Sequence, residues 1–226
     1  MPTRMQSLRE EIESCRACPR LVAWRELVAA EKRASFAEWT YWGRPVAGYG
    51  DPNAAIVALG LAPAAHGANR TGRVFTGDRS GDFLFASMYR CGLANQPTSV
   101  SADDGLELHD AFVTAAVRCA PPANKPTIDE RDTCSGFLQR ELALLPNVRV
   151  VVALGNFGYE AACRHFGIRP RPRFGHGVEA IAPDGAVTVL CSFHPSQQNT
   201  FTGKLTEPMI DDVFMRARVL AGVDRV

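Results

Sequence analysis

The sequence predicts one α/β domain over residues 1–226, built on a central four-stranded, mostly parallel sheet flanked by helices. Two observations predict the fold. The runs "AAIVALGL", "AFVTAAVRC", "VRVVVALG" and "AVTVLCSF" have strand length and no polar alternation, so both faces of their sheet should be covered. Helix-periodic stretches separate them, the arrangement that yields parallel strands. A third observation locates function. The runs end in "GLAPAAHG", "RCAPPANKPT", "LGNFG" and "FHPSQQNTF". Sites in open parallel sheets lie beyond the carboxyl ends of the strands, so these four loops should converge.

In chain order, Ser7 with Glu10 reads as a capping box for a helix that runs into the first cysteine pair. Pro19 can open a second helix through "RLVAWRELVAAEKRAS". The first strand follows the aromatic, Gly-rich "YWGRPVAGYGDPN", and "DFLFASMYRCGL" after it has helical periodicity. Beyond the second strand, Thr127 with Glu130 caps a helix through "CSGFLQRELALL". The third strand leads into the helix "FGYEAACRHF". After the fourth, "TEPMIDDVFMRARVLAGV" closes the chain as an amphipathic helix. No repeat, low-complexity tract or linker interrupts the series.

Hydrophobic content of 46% and charged content of 22% suit a soluble globular protein. No apolar run has membrane-spanning length, and "MPTRMQSLREEIESC" has no signal-peptide core. A cytoplasmic monomer is expected. The net charge of +1 argues against a protein that wraps nucleic acid through bulk charge. Distribution says more than the sum. "RHFGIRPRPRFGHG" holds four arginines and no acid, and Arg70, Arg73 and Arg79 cluster after the first strand. Each patch reads equally well as a solvated face or as a phosphate-binding surface. Lys125 and Lys204 fall in the loops after the second and fourth strands.

Seven cysteines without an export signal argue against a disulfide framework. Cys91, Cys163 and Cys191 lie in apolar patterns and read as buried structural thiols. The other four differ. Cys15 and Cys18 form C-x-x-C, and Cys119 and Cys134 form C-x14-C. Zinc ribbons pair two short knuckles, whereas four thiolates can hold an iron–sulfur cluster from irregular spacings. By spacing alone, Cys119 and Cys134 could equally be unrelated core thiols.

The stretch "LGLAPAAHGANRTGRVFTGDRSGDF" follows a strand end with glycines that let backbone approach a ligand closely, and it carries His66 and the carboxylate Asp78. Asp82 reads as a favourable charge in the first turn of the next helix. In "FHPSQQN", His194 follows a buried strand that Pro195 terminates. A strand-end histidine is more often a structural residue than a catalytic one, but this one shares a sheet edge with the opening loop. The chain has no G-x-S-x-G, H-E-x-x-H, Walker loop or strand-end G-x-G-x-x-G, so neither nucleoside triphosphates nor dinucleotides are favoured.

"GLAPAAHGANRTGRVFTGD" together with "HPSQQN" resembles the two signature motifs of the uracil-DNA glycosylase superfamily, specifically its fifth, type B family. The resemblance runs from about Cys15 to Lys204. It implies a prokaryotic-type DNA repair hydrolase that flips a deaminated base out of DNA and cuts its N-glycosidic bond, leaving an abasic site. It further implies a 4Fe-4S iron–sulfur cluster on Cys15, Cys18, Cys119 and Cys134. Asp78, Asn124 and His194 become the catalytic candidates. Gly60, Ala62 and Phe75 would contact the base, with Asn199, Lys125 and Lys204 holding the second loop or DNA, and Phe201 and Leu205 placed to wedge the emptied stack.

Two departures from the sister type A family matter. Leu61 stands in "GLAPA" where type A members carry glutamate in "GEAPG", so Asp78 and Asn124 must share the water-positioning or cation-stabilising role. Ala115 and Ala116 stand in the region where type A members place an asparagine that reads uracil. Without that reader, broad specificity is expected: uracil, hypoxanthine and also xanthine. A uracil-restricted type A-like enzyme and a non-catalytic metal-bearing nucleic-acid binding module are the alternatives.

Overall fold

Four five-residue runs, rich in Val, Leu and Ala, set the architecture, because every residue in them but Thr188 is buried. In the computed structural model, which describes residues 2–223, chain order is α1 (Arg4–Ser14), α2 (Pro19–Glu31), β1 (Tyr49–Gly50), β2 (Ile56–Gly60), α3 (Ala68–Thr71), α4 (Arg79–Arg90), β3 (Ala111–Ala115) and α5 (Ile128–Ala143), then β4 (Val150–Leu154), α6 (Asn156–His165), β5 (Glu179–Ile181), β6 (Thr188–Ser192), α7 (Gln197–Phe201) and α8 (Glu207–Ala221). The sheet order is β1-β3-β2-β4-β6-β5. Its central four strands are parallel and are the four apolar runs. Two short antiparallel edges, β1 and β5, raise the strand count from the expected four to six.

Alternate residues of each parallel strand enter different cores, which is why the runs show no alternation of apolar and polar residues. Ile56, Ala58, Val150 and Val152 pack with Leu84 and Phe85 of α4 and Ile210 and Phe214 of α8. Val57, Leu59, Val151 and Ala153 pack with Leu138 of α5 and Tyr159 and Ala162 of α6. Register aligns the carboxyl ends, with Gly60 opposite Ala115 and Leu154 opposite Ser192. One sheet edge therefore receives all four loops.

Helix starts follow their local chemistry. Pro19 sits in the first turn of α2, and Thr127 with Glu130 forms the expected capping box of α5. At α1 the box lies one turn earlier than Ser7 and Glu10: the Thr3 hydroxyl accepts from Gln6 N, and Gln6 returns the bond to Thr3 N. Asp82 lies in the first turn of α4 as expected.

A buried ion pair joins the segment after β3 to α5. Arg118 and Glu141 each have side chains 1% exposed, with Nη2 donating to Oε2 at 2.8 Å. The same carboxylate accepts from Thr114 Oγ1 of β3 at 2.5 Å and from Gly48 N at 2.9 Å. Removing one partner strands the other as a buried charge. Glu141→Ala should therefore destabilise the protein by about 3–5 kcal/mol in urea denaturation. A loss below about 1 kcal/mol, the range of a surface pair, would contradict this account.

Candidate active site

At the carboxyl edge of the sheet lies a cavity of about 480 Å³ whose lining includes Leu61, Ala62, Phe75, Asp78, Asn124 and His194. Three of the four strand-end loops thus contribute side chains. The fourth supplies close approach. A Cβ on Gly155 would stand 3.2 Å from that of His194, and one on Gly158 would stand 2.6 Å from the Leu59 carbonyl oxygen.

The opening loop is built around Phe75. Its ring lies against the end of β2 so closely that a Cβ on Gly60 would come within 2.7 Å of it. The backbone takes φ +54° to put it there, a conformation that costs a non-glycine residue about 1–3 kcal/mol. Neighbours hold it. A Cβ on Gly81 would meet the Phe75 carbonyl at 1.8 Å, and Gly77 N donates to Ser99 O at 2.8 Å. The buried Thr76 hydroxyl sits between Arg73 Nε (3.0 Å) and Ser99 Oγ (2.7 Å).

This loop consumes two of its three arginines, which corrects their reading as a phosphate-binding patch. Arg73 is buried and grips both oxygens of Asp104 at 2.7 and 2.8 Å. Arg70, also buried, donates to the carbonyls of His66 and Gly77, each at 2.8 Å, between the rings of Phe36 and Trp39. Buried loop carbonyls need donors, and these guanidinia supply them. Arg79 alone of the three is exposed, 5.5 Å from the ring of Phe201. In the second arginine patch, Arg164 pairs with Asp132 and Arg171 with Glu160, while Arg169 and Arg173 are exposed.

Asp78 caps α4, accepting from Gly81 N at 3.0 Å. A Cβ on Gly67 would fall 2.0 Å from Asp78 Oδ2, so glycine there is what admits the carboxylate. Burial raises the Asp78 pKa, opposed by the Gly81 and Ser80 amides and by Arg70. Asn124 is exposed at a turn in which both it and Ala123 have positive φ, +55° and +52°.

His194 packs against Phe75, with ring centroids 5.9 Å apart. Burial pushes its pKa down to about 4, so near neutral pH the imidazole is an uncharged hydrogen-bond donor. Asn199 Nδ2 donates to the His194 carbonyl at 2.9 Å, bracing the loop as expected. His176, which the sequence offered no reason to select, accepts from Phe193 N at Nδ1 (3.2 Å) and reaches Met209 O from Nε2 (3.2 Å). It thereby anchors the residue before His194.

Lys125 and Lys204 are exposed, and Lys204 Nζ stands 4.9 Å from the ring of Phe193. The wedge expectation divides. Phe201 is 69% exposed, but Leu205 is 1% exposed and lies in the core. Its amide bonds back to Asn199 O, folding the end of the loop inward. Ala115 and Ala116 are buried as well, and Ala116 N bonds to Gly60 O. The cavity's other polar side chains are Ser80, Ser196 and Gln198.

A second cavity of about 150 Å³ is lined by Cys15, Cys18, Cys119 and Cys134. Cys91, Cys163 and Cys191 are buried elsewhere in the core, as expected. Among the described residues, no three His, Cys, Asp or Glu side chains are gathered as they would be around one metal ion. Thiols spread around a void suit the larger body of a polynuclear cluster. Arg25, 2% exposed, donates from Nη1 to Cys119 Sγ at 2.9 Å, and Arg118 N donates to Cys134 Sγ at 3.3 Å. The Nε atoms of both arginines are buried without a partner. Arg118 is balanced by Glu141, which leaves Arg25 as the enclosed cation without a close carboxylate; beside four thiols it favours a negatively charged occupant. Burial raises the pKa of Cys18 and Cys119 and pushes that of Cys134 up to about 11.

A family model described as the uracil DNA glycosylase superfamily matches residues 47–218. A type-5 uracil-DNA glycosylase of Mycobacterium tuberculosis is 56% identical over 216 residues, covering 94% of this chain and 80% of the relative. Its Mycobacterium leprae counterpart is 53% identical over 219 residues, covering 96% and 95%. The type-5 uracil-DNA glycosylase of Thermus thermophilus is 52% identical over 215 residues, covering 95% and 97%.

The burial of His194 has a measurable consequence. Its folded pKa lies below the unfolded value of 6.5, so the unfolded chain binds more protons between the two. The stability tied to its neutral form is intact above pH 6.5 and drains as pH falls toward about 4. NMR of the imidazole carbons should show no titration of His194 between about pH 5 and 8, the range of an ordinary histidine. A midpoint near 6.5 would contradict the enclosed site.

Proposed function

This chain belongs to the uracil-DNA glycosylase superfamily, and we propose that it excises uracil and other deaminated bases, hypoxanthine and xanthine among them, from DNA. It would act as a cytoplasmic monomer and leave abasic sites for repair. The observation that carries the reading is the meeting of Phe75, Asp78, Asn124 and His194 around one cavity whose volume suits a small planar ligand. No helix among the described residues is long and apolar enough to cross a membrane.

A base inside a duplex is out of reach, so the nucleotide must be extruded at a cost of a few kcal/mol. The Phe75 ring offers a flat platform that accepts any base; the bare Gly60 admits that ring, and Ala62 lines the cavity beside it. Exposed Phe201 can fill the emptied stack. Breaking the glycosidic bond makes the sugar cationic and the base anionic. Neutral His194 donates a hydrogen bond to the base carbonyl oxygen as charge gathers there. Asp78 and Asn124 serve the sugar side, where water attacks. Leu61 and Ala62 present no polar group for that task, and the family resemblance favours these two for it. Lys125, Lys204 and Arg79 are exposed and would meet phosphates. Ser80, Ser196 and Gln198 are the remaining polar groups, a sparse set for rejecting purines, which supports broad specificity.

The four thiols fit a 4Fe-4S cluster by the cavity they line and by the buried Arg25 beside it. Its contribution is structural, tying the start of α2 to β3 and α5. Protein purified without added metal should be brown, with about four irons per chain for a cubane on four thiolates. Stoichiometric zinc in colourless, anaerobically prepared protein would sink the assignment.

Single-turnover kinetics on uracil- and hypoxanthine-containing duplexes, scored by alkali cleavage, test the chemistry. His194→Ala should slow the step by about 100- to 1,000-fold with DNA affinity nearly unchanged. Asp78→Asn retains an oxygen for the Gly81 amide and loses the charge, so slow Asn and faster Glu variants indicate an electrostatic role. Wild-type rates for both His194→Ala and Asp78→Asn would overturn the site. Activity confined to uracil would restrict the substrate range.

A further inference from the structure

We propose that Arg20 is a positioning residue for the reaction: it holds the turn that carries Asn124, extending the anchorage of α2 into the active cavity. The inference rests on the catalytic reading of Asn124 given above. The turn needs such a hold. Ala123 and Asn124 are successive non-glycine residues at positive φ, and Asn124 and Lys125 are exposed. Each such residue costs about 1–3 kcal/mol and persists only where its surroundings enforce it. Within the turn, Asn124 N bonds to Pro121 O at 3.2 Å and Lys125 N to Pro122 O at 3.0 Å. These bonds close the turn upon itself without fixing where it stands.

Arg20 supplies the external fix. Its Nε donates to Glu130 Oε1 at 2.7 Å and its Nη2 to Oε2 at 2.6 Å. The same Nη2 donates to the carbonyl of Lys125, next to Asn124, at 3.1 Å. Glu130 Oε2 in turn accepts from Thr127 N at 2.7 Å, closing the cap of α5. One guanidinium therefore grips the turn directly and also the helix start that follows it. The planar fork is what permits both, and an ammonium group cannot reproduce it.

The other end of the link is the first cysteine pair. Arg20 lies in the first turn of α2, two residues after Cys18, so whatever holds Cys15 and Cys18 also sets where its guanidinium can reach. The side chain is 45% exposed. Glu130 is 9% exposed but keeps the bond from Thr127 N when Arg20 is removed, so the loss of Arg20 should cost little stability and be felt chiefly at the turn.

The test is a double-mutant cycle on the iron-loaded protein, using single-turnover rates on uracil-containing duplex. Arg20→Ala should slow the chemical step by about ten- to a hundredfold, the range for misplacing a reacting group by an ångström. DNA affinity, iron content and melting temperature should stay near wild type. Arg20→Gln, which keeps one donor, and Arg20→Lys should fall between. In an Asn124→Ala background, Arg20→Ala should add nothing, because the effect passes through Asn124. Equal slowing in both backgrounds, or a wild-type rate for Arg20→Ala beside a slow Asn124→Ala, would overturn the proposal alone. A wild-type rate for Asn124→Ala would remove the catalytic reading of that residue and the proposal with it.

Discussion

The contact between the Phe75 ring and the backbone of Gly60 organises the cavity. It lays an aromatic plane across the end of β2, and the chain reaches it only by turning Phe75 into a left-handed conformation. The surrounding loop is what that turn requires. Gly81 must be bare because the Phe75 carbonyl stands where a side chain would be, and Gly67 must be bare because the Asp78 carboxylate does. Arg73 and Arg70 are drawn inward to satisfy the carbonyls and hydroxyls the turn buries. Asp78 then faces the cavity from the cap of α4, held by the helix it starts. An aromatic platform and a carboxylate therefore arrive together from one loop.

The cysteine region follows a different constraint. Arg25 and Arg118 are both enclosed, but only Arg118 has a close carboxylate, Glu141 at 2.8 Å. Glu26 lies 3.9 Å from Arg25 Nη2, which turns instead to the Cys15 carbonyl, while Nη1 faces Cys119 Sγ. The Arg25 carbonyl accepts from Asn69 Nδ2 at 3.1 Å, linking α2 to the short helix α3 of the opening loop. Val117 N bonds to Leu61 O, and Ala62 packs with Leu21 and Cys119. Residues that line one cavity thus pack or bond directly against residues that line the other.

The central sheet was legible because burial on both faces leaves an unbroken apolar run, and β2, β3, β4 and β6 have one. The edges β1 and β5 span two and three residues of mixed exposure, too short to mark a pattern. Asp78, Asn124 and His194 were legible by resemblance and by their shared sheet edge. His176 was not, since a lone histidine between glycines carries no sign that it will bridge Phe193 and Met209. Arginine misleads most. Arg70 and Arg79 look alike in sequence, and only the unmet carbonyls of a folded loop decide that one is buried and the other free. Leu205 misled for a related reason: polar neighbours suggest exposure, but its amide is drawn back to Asn199 and its side chain enters the core.

The consumption of Arg70 and Arg73 bears on how DNA could be gripped. Exposed cations on the loops that build the cavity include Arg79, Lys125 and Lys204, each on a different loop. Each phosphate neutralised releases counterions, so a surface with so few contacts gains little salt-sensitive affinity. On the proposed function, recognition would then draw on terms that salt does not screen, stacking on Phe75 and the apolar face of Phe201, and these would be realised only once a nucleotide had left the helix. Weak electrostatic grip and strong engagement of an extruded base would be the same design viewed from two sides: a protein that moves along intact duplex and is held where a base comes out easily, at a mismatched or damaged pair.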